Sequence, residues 1–227
     1  MNGADTLLAF DNPWHIVGLI GAIVAIRVAV PRITLDREWR STILEYVDSG
    51  LVAALLVFCL LRPFVIQAFY IPSGSMMPTL QTGDRILVNK FIYFFRDPKP
   101  GDIVVFNAPP AASKKDRDFI KRVVGAPGDE LCVHDGALYR NSKRIEEDYT
   151  AETPYYTWPS PATCVGVPDG NYVVMGDNRN DSNDSHRWEA LNPTTGEVEA
   201  RPYVPRENFL GEAMVIFWPP QRIRVLH

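Results

Sequence analysis

What most constrains this chain is the punctuation of its apolar residues after Arg62. They come in runs of roughly four to eight, rich in Val, Ile, Tyr and Phe, and bounded by Gly-Asp, Pro-Gly or Asp-Gly turn signals. RILVNKFIYFF follows Gly83-Asp84, and DIVVFNAP follows Pro100-Gly101. Ile120 to Val124 runs into Gly125-Ala126-Pro127-Gly128-Asp129, and ELCVH comes next. ALYRN, NYVVM and EAMVIFW complete the series. Such spacing predicts an all-β domain of sandwich or barrel type, and no helical periodicity persists over about three turns beyond Leu61. Residues 108–115, 147–168 and 184–206 read as loops. The aromatic run Phe91-Ile92-Tyr93-Phe94-Phe95 has two readings, a strand buried on both faces or an aromatic surface resting in a membrane interface.

Ahead of Arg62 the pattern is different. Trp14 to Val30 carries only Arg27, and Tyr46 to Leu61 carries only Asp48, near its start. Each stretch is about 17 residues, at the short end for a membrane helix. Two buried core helices are the competing reading. The expectation is two N-terminal transmembrane helices, an anchor over residues 1–62 with an exported β-rich domain over 63–227. Met1 to Pro13 has no lysine or arginine and no small-x-small site follows, so a cleavable signal is not expected. Arg32, Arg37 and Arg40 lie between the stretches, which by the positive-inside rule puts that connection in the cytoplasm and the β domain on the exported side. Cys132 and Cys164 then share an oxidising side, though spacing leaves their pairing open. A net charge of −4 gives no reason to expect a nucleic-acid partner.

The chemistry centres on Phe69-Tyr70-Ile71-Pro72-Ser73-Gly74-Ser75-Met76-Met77-Pro78-Thr79-Leu80. A serine hydroxyl in a turn becomes a nucleophile only with an adjacent base. A Ser-His-Asp arrangement through His186 stays open on spacing alone, because triads are recognised by geometry and not by order. The other candidate is Lys121, in Asp118-Phe119-Ile120-Lys121-Arg122-Val123-Val124. On a strand it shares a face with Phe119 and Val123, an apolar surround that would favour the neutral amine. The segment Gly176-Asp177-Asn178-Arg179-Asn180-Asp181-Ser182-Asn183-Asp184-Ser185 is acidic and Asn-rich, but lacks the sixth-position Gly and closing Glu of an EF-hand. No metal and no cofactor are expected.

Taken together, the serine turn, the Lys121 strand and the Asp177 segment resemble the type I signal peptidase family, membrane-bound serine proteases that use a lysine as base. The resemblance implies that Ser75, second serine of the Pro-Ser-Gly-Ser-Met motif, is the nucleophile and Lys121 its base. It implies that Ser73 lends its hydroxyl to the oxyanion hole and that Ser182 orients the lysine. Ile71, Pro72, Met76, Leu80, Phe119 and Ile120 would line a shallow apolar pocket for small substrate residues. Two departures stand out: the pair before Ser182 is Asn180-Asp181, and the arginine usual after Asp-Ser is His186, with Arg187 one place later. They leave open which cation pairs with Asp184.

The implied activity is removal of signal peptides from exported preproteins by cleavage after Ala-x-Ala-type sites, at a bacterial inner membrane. The partners are signal peptides, the lipid bilayer and a protein translocation channel. Two alternatives remain: a Ser-Lys peptidase dedicated to one exported substrate, or a non-catalytic β module that binds signal peptides.

Overall fold

The computed structural model describes residues 13–32, 36–56, 66–115, 117–159, 164–191 and 198–226. The chain divides into two compact units, Met1–Ala68 and Phe69–His227.

In the first unit, α1 (Pro13–Ala29) and α2 (Arg37–Leu55) are the helices, and Arg27 pairs with Asp48 between them. The expected pair of transmembrane helices is not supported: among the described residues, no helix is long and apolar enough to cross a membrane. The reason is visible in each. With 17 residues, α1 reaches about 26 Å at 1.5 Å per residue, short of a hydrocarbon core of about 30 Å. α2 starts at Arg37, nine positions before the apolar run, and carries Arg37, Glu38, Arg40, Glu45 and Asp48. Arg37 and Arg40, read as part of a cytoplasmic connection, therefore belong to a helix. The far end of the second apolar stretch, residues 57–61 with Cys59, lies outside the described residues.

The second unit is mainly β. Its strands begin with β1 (Ile66–Tyr70), which crosses the unit boundary, then β2 (Arg85–Asn89), β3 (Ile103–Asn107) and β4 (Asp118–Gly125). β5 (Glu130–His134), β6 (Ala137–Arg140), β7 (Lys143–Arg144) and β8 (Val165–Gly166) follow. β9 (Asn171–Met175), β10 (Glu189–Leu191), β11 (Val198–Ala200) and β12 (Val204–Pro205) lead to β13 (Phe209–Trp218) and β14 (Arg224–Val225). An eight-stranded sheet runs β1-β2-β13-β3-β4-β9-β12 with β14 on β13, and a four-stranded sheet runs β7-β6-β5-β8. Segment 184–206, read as irregular, contains the antiparallel β10–β11 pair and β12.

Strand alternation sends side chains of the large sheet into separate cores. Ile71, Met76, Leu80, Ile86, Val88 and Ile216 fill one, with Ile120 against it. Val104, Phe106, Val123, Tyr172, Val174 and Trp188 fill another, with Phe119 against it. A third, around Leu131, Leu138, Trp158 and Met175, joins β9 to the smaller sheet. Cys132 and Cys164 form a disulfide that ties β5 to the start of β8.

The aromatic run is neither a buried strand nor uniformly exposed. Asn89 Oδ1 accepts from the Phe91 and Ile92 N–H groups at 2.9 and 3.1 Å, starting a 3-10 turn over Ile92–Phe94. Its tight period turns Tyr93 inward, while Phe91, Phe94 and Phe95 are 43%, 74% and 73% exposed and clustered ring to ring.

β13 is central to the large sheet, pairing with both β2 and β3. Gly211 permits that crowding: a Cβ there would stand 2.4 Å from the Asn89 carbonyl oxygen, and backbone cannot step aside cheaply. Gly211→Ala should lower unfolding free energy by about 1–3 kcal/mol, read as a reduced urea midpoint with unchanged slope.

Candidate active site

Ser75 lies on the turn after β1, and Lys121 lies four positions into β4, flanked by β3 and β9. Although 46 residues apart, Lys121 Nζ and Ser75 Oγ approach to 2.7 Å. The amine also donates to the Ile120 carbonyl at 2.9 Å, and it lies 5.6 Å from the Phe119 ring centre. Lys121 is only 4% exposed. Burial pulls its pKa down from 10.5 to about 8, against the opposing charges of Asp184 and Asp177. This buried lysine has a hydroxyl as its nearest partner, and no carboxylate pairs with it directly among the described residues.

The contrast with its neighbour is sharp. Arg122 is 3% exposed and forms a two-pronged ion pair with Asp177, Nε to Oδ1 at 2.8 Å and Nη2 to Oδ2 at 2.7 Å. Its guanidinium also donates to the Gly101 carbonyl and stacks 3.9 Å from the Tyr149 ring centre. Asp177 receives Thr79 Oγ1 as well, at 2.5 Å. The same segment grips the serine turn by its backbone: Asn178 N–H donates to the Ser75 carbonyl and Asn178 Nδ2 to the Gly74 carbonyl. Thus one carboxylate and one asparagine fasten the serine turn, β4 and the 176–185 segment together.

Gly176 makes the approach possible. A Cβ there would meet the Ser75 carbonyl oxygen at 2.3 Å and Ser182 Oγ at 2.4 Å. Arg179, fully buried, holds this segment from the other side through a bidentate pair with Glu147 at 2.6 and 2.8 Å.

Of the remaining residues singled out in the sequence, Ser73 Oγ lies 3.5 Å from Ser75 Oγ, on the exposed side of the turn. Ser182 is buried, but its hydroxyl makes no hydrogen bond with Lys121; it has no hydrogen-bond partner among the described residues. It stands close enough to Asp184 to favour that carboxylate's charge. Burial works to raise the Asp184 pKa, yet His186, the Gly176 N–H and Ser182 hold it below the ordinary carboxylate range. Ile71, Met76 and Leu80 are core residues with 2%, 0% and 0% exposure, and Ile120 packs on them. Phe119 packs in the neighbouring core, and Pro72 is exposed.

His186 is not beside Ser75 in any hydrogen bond: its Nδ1 faces Asp184 at 2.6 Å and its Nε2 accepts from Arg187 Nε at 3.1 Å. The partner of Asp184 is therefore His186. Glu147, Tyr149 and Thr79 were missed in the sequence. The one available signal was a buried arginine's need for an acid, and that does not say which acid. A separate apolar cavity of about 340 Å³ lies beside the disulfide, lined by Cys132, Val133, His134, Thr157, Trp158 and Cys164.

Two outcomes follow from this geometry. Because Lys121 titrates near 8 when folded and at 10.5 ordinarily, the unfolded chain binds more protons between those values, and the cost of the buried charge is full below 8. Lys121→Met should therefore stabilise the fold at pH 7 by about 1–3 kcal/mol, a gain that shrinks as pH rises from 8 towards 10.5 in urea titrations. Gly176→Ala should displace the Ser75 backbone and lower the unfolding midpoint, measured by the same titration.

Known proteins resemble this arrangement's sequence across most of its length. Residues 43–218 match the family model described as signal peptidase, peptidase S26. A probable signal peptidase I-2 of Synechocystis sp. is 44% identical over 178 residues, covering 78% of this chain and 74% of that protein. A signal peptidase I of Leptolyngbya laminosa is 41% identical, covering 72% of this chain and 74% of that protein. A crystal structure of a signal peptidase I from Enterococcus faecalis V583 is 25% identical with a TM-score of 0.39, over 52% of this chain and 97% of that one. The chain belongs to the signal peptidase family, peptidase S26.

Proposed function

We propose that Ser75 and Lys121 are the nucleophile and general base with which this signal peptidase removes signal peptides from exported preproteins. The observation that carries the reading is the 2.7 Å contact between a serine hydroxyl and a buried amine whose pKa is lowered to about 8. While charged, the amine donates to the hydroxyl; once neutral, it accepts the hydroxyl proton along the same line. Ser75 Oγ then attacks the scissile carbonyl, and the developing oxyanion is held by the Ser75 N–H and the Ser73 hydroxyl. The protonated lysine returns its proton to the leaving amine. A water enters, Lys121 takes its proton, and hydrolysis of the acyl ester frees Ser75.

Ser182, buried beside Asp184, favours that carboxylate's charge, which in turn acts on the lysine. Ile71, Met76 and Leu80, with Ile120 against them, belong to a packed core beside the serine turn and would form a shallow apolar floor for the substrate. That favours small residues such as alanine before the cleaved bond, with Pro72 and Phe119 at the edges. The working place is the exported side of a bacterial inner membrane, beside a translocation channel. The exposed rings of Phe91, Phe94 and Phe95 suit contact with lipid headgroups there.

The test uses the full chain in detergent and a preprotein with an Ala-x-Ala site. Wild type should cut after the second small residue, and Ser75→Ala should be inert. Lys121→Met should lose about 10²–10⁴-fold in kcat/KM, and Ser73→Ala about 10²–10³-fold, all with intact folds. Because only neutral lysine serves, kcat/KM should climb with pH to a half-point near 8, falling about tenfold per unit below it. A Lys121→Met enzyme with near-normal turnover would sink the reading.

A further inference from the structure

The segment after β7 makes a turn that lies outside the serine, lysine and Asp177 motifs. Thr150 donates to the Glu147 carbonyl through its N–H at 3.4 Å and its Oγ1 at 3.0 Å, which brings the Glu147 and Tyr149 side chains together. The Tyr149 hydroxyl donates to Glu147 Oε1 at 2.6 Å. Burial, with the Glu147 charge beside it, raises the Tyr149 pKa, so the hydroxyl keeps the proton it donates. The same carboxylate takes both Nη atoms of Arg179, at 2.8 and 2.6 Å, and its side chain is only 7% exposed. On the other side the Arg122 guanidinium lies over the Tyr149 ring, 3.9 Å from its centre.

These contacts close a circuit. It runs from Glu147 through Tyr149 to Arg122, across the ion pair to Asp177, and along the chain to Arg179, which returns it to Glu147. Both members of the reacting pair hang from it. Lys121 directly precedes Arg122 on β4. Ser75 is gripped by Asn178, which stands between Asp177 and Arg179 and donates its N–H to the Ser75 carbonyl at 3.1 Å. Beyond the serine, Thr79 Oγ1 donates to Asp177, and Pro78 forms an antiparallel bridge with Thr150. The Ala151 N–H adds a bond to the Asp177 carbonyl at 3.2 Å. A buried network whose members are bonded to one another favours a single arrangement, and its parts act together. Opened at the Tyr149–Glu147 bond, the circuit would let the serine turn and β4 shift against each other.

We propose that Glu147 and Tyr149 are positioning residues for the Ser75–Lys121 pair: the hydroxyl–carboxylate bond between them closes the circuit that fixes the serine turn against β4. They act through Arg122, Asp177 and Arg179, so their effect is on alignment, where a displacement of about 1 Å can cost on the order of 10²-fold in rate. This inference rests on the Ser-Lys reading.

The experiment separates kcat from KM for preprotein cleavage by the full chain in detergent, with the unfolding midpoint read on the same samples. Tyr149→Phe, which keeps the ring on Arg122 and alters no charge, should lower kcat about three- to tenfold, with KM within about twofold and the pH half-point unmoved. Glu147→Gln should lower kcat about 10- to 100-fold. Because both act through one bond, the double variant should fall no further than Glu147→Gln alone, whereas independent effects would multiply. Gly211→Ala, destabilised on β13, should keep its kcat within about twofold, so that loss of stability and loss of alignment are told apart. Should Glu147→Gln fail to fold, Tyr149→Phe set against Gly211→Ala carries the test. A Tyr149→Phe loss no larger than that of Gly211→Ala, a loss confined to KM, or single losses that multiply in the double variant overturns the proposal. Near-normal turnover by Lys121→Met would instead overturn the Ser-Lys reading, and this inference with it. Lysine-dependent cleavage with kcat unchanged in the Glu147 and Tyr149 variants leaves the Ser-Lys reading standing and removes only their role.

Discussion

The Arg122–Asp177 ion pair is the joint on which the site depends. Both groups are buried, and Asp177 joins Arg122 of β4 to Thr79, just past the serine turn. Removing either partner would leave a charge stranded in low dielectric, at a cost of about 3–5 kcal/mol. The pair also frees its neighbour. With Arg122 taking the carboxylate's two oxygens, Lys121 is left with a hydroxyl and a carbonyl as its direct partners. A lysine in contact with a carboxylate would stay charged and be useless as a base; one surrounded by apolar groups and a hydroxyl can let its proton go.

Geometry of this kind is only partly written in local sequence. The strands at Arg85–Asn89, Ile103–Asn107, Asp118–Gly125, Glu130–His134 and Phe209–Trp218 were legible because Gly-Asp and Pro-Gly turns cut the chain into pieces too short for helices. The serine and the lysine were legible as residue types in recurring motifs. Their contact was not, since nothing in a sequence separation of 46 residues encodes a distance. Windowed hydropathy overstates the membrane helices, because it does not register where a helix begins. Helix propensity carried α2 back through Arg37, Glu38 and Arg40, residues that favour helices as readily as apolar ones do. The Phe91–Phe95 run deceived in the same way: its composition is that of a strand, but Asn89 caps its first N–H groups and bends it into a turn.

Long-range partners were the hardest to foresee. Glu147 sits in a stretch without pattern, yet it carries the bidentate bond to Arg179 that keeps the 176–185 segment rigid. Ser182 illustrates the opposite case, in which a residue type matched by motif lands near the predicted neighbour without bonding to it. Motif position predicts vicinity; only packing decides orientation. The same distinction separates Asp177 from Asp184, two buried acids of one segment, the first bound to a guanidinium and the second to an imidazole.

Lys121 and Arg122 are consecutive residues on β4, and alternation points them to opposite faces, one into a place with no countercharge in contact and one into a place with a full one. A slip of β4 by a single residue against β3 and β9 would send each to the opposite face. In one direction the titratable amine would fall onto Asp177 and become a fixed cation; in the other, a guanidinium that never releases its proton would face Ser75. The register pairs Val104↔Lys121 and Ile103↔Arg122 therefore do more than align a sheet. They are the frame that keeps a reversible charge and a permanent one from trading places.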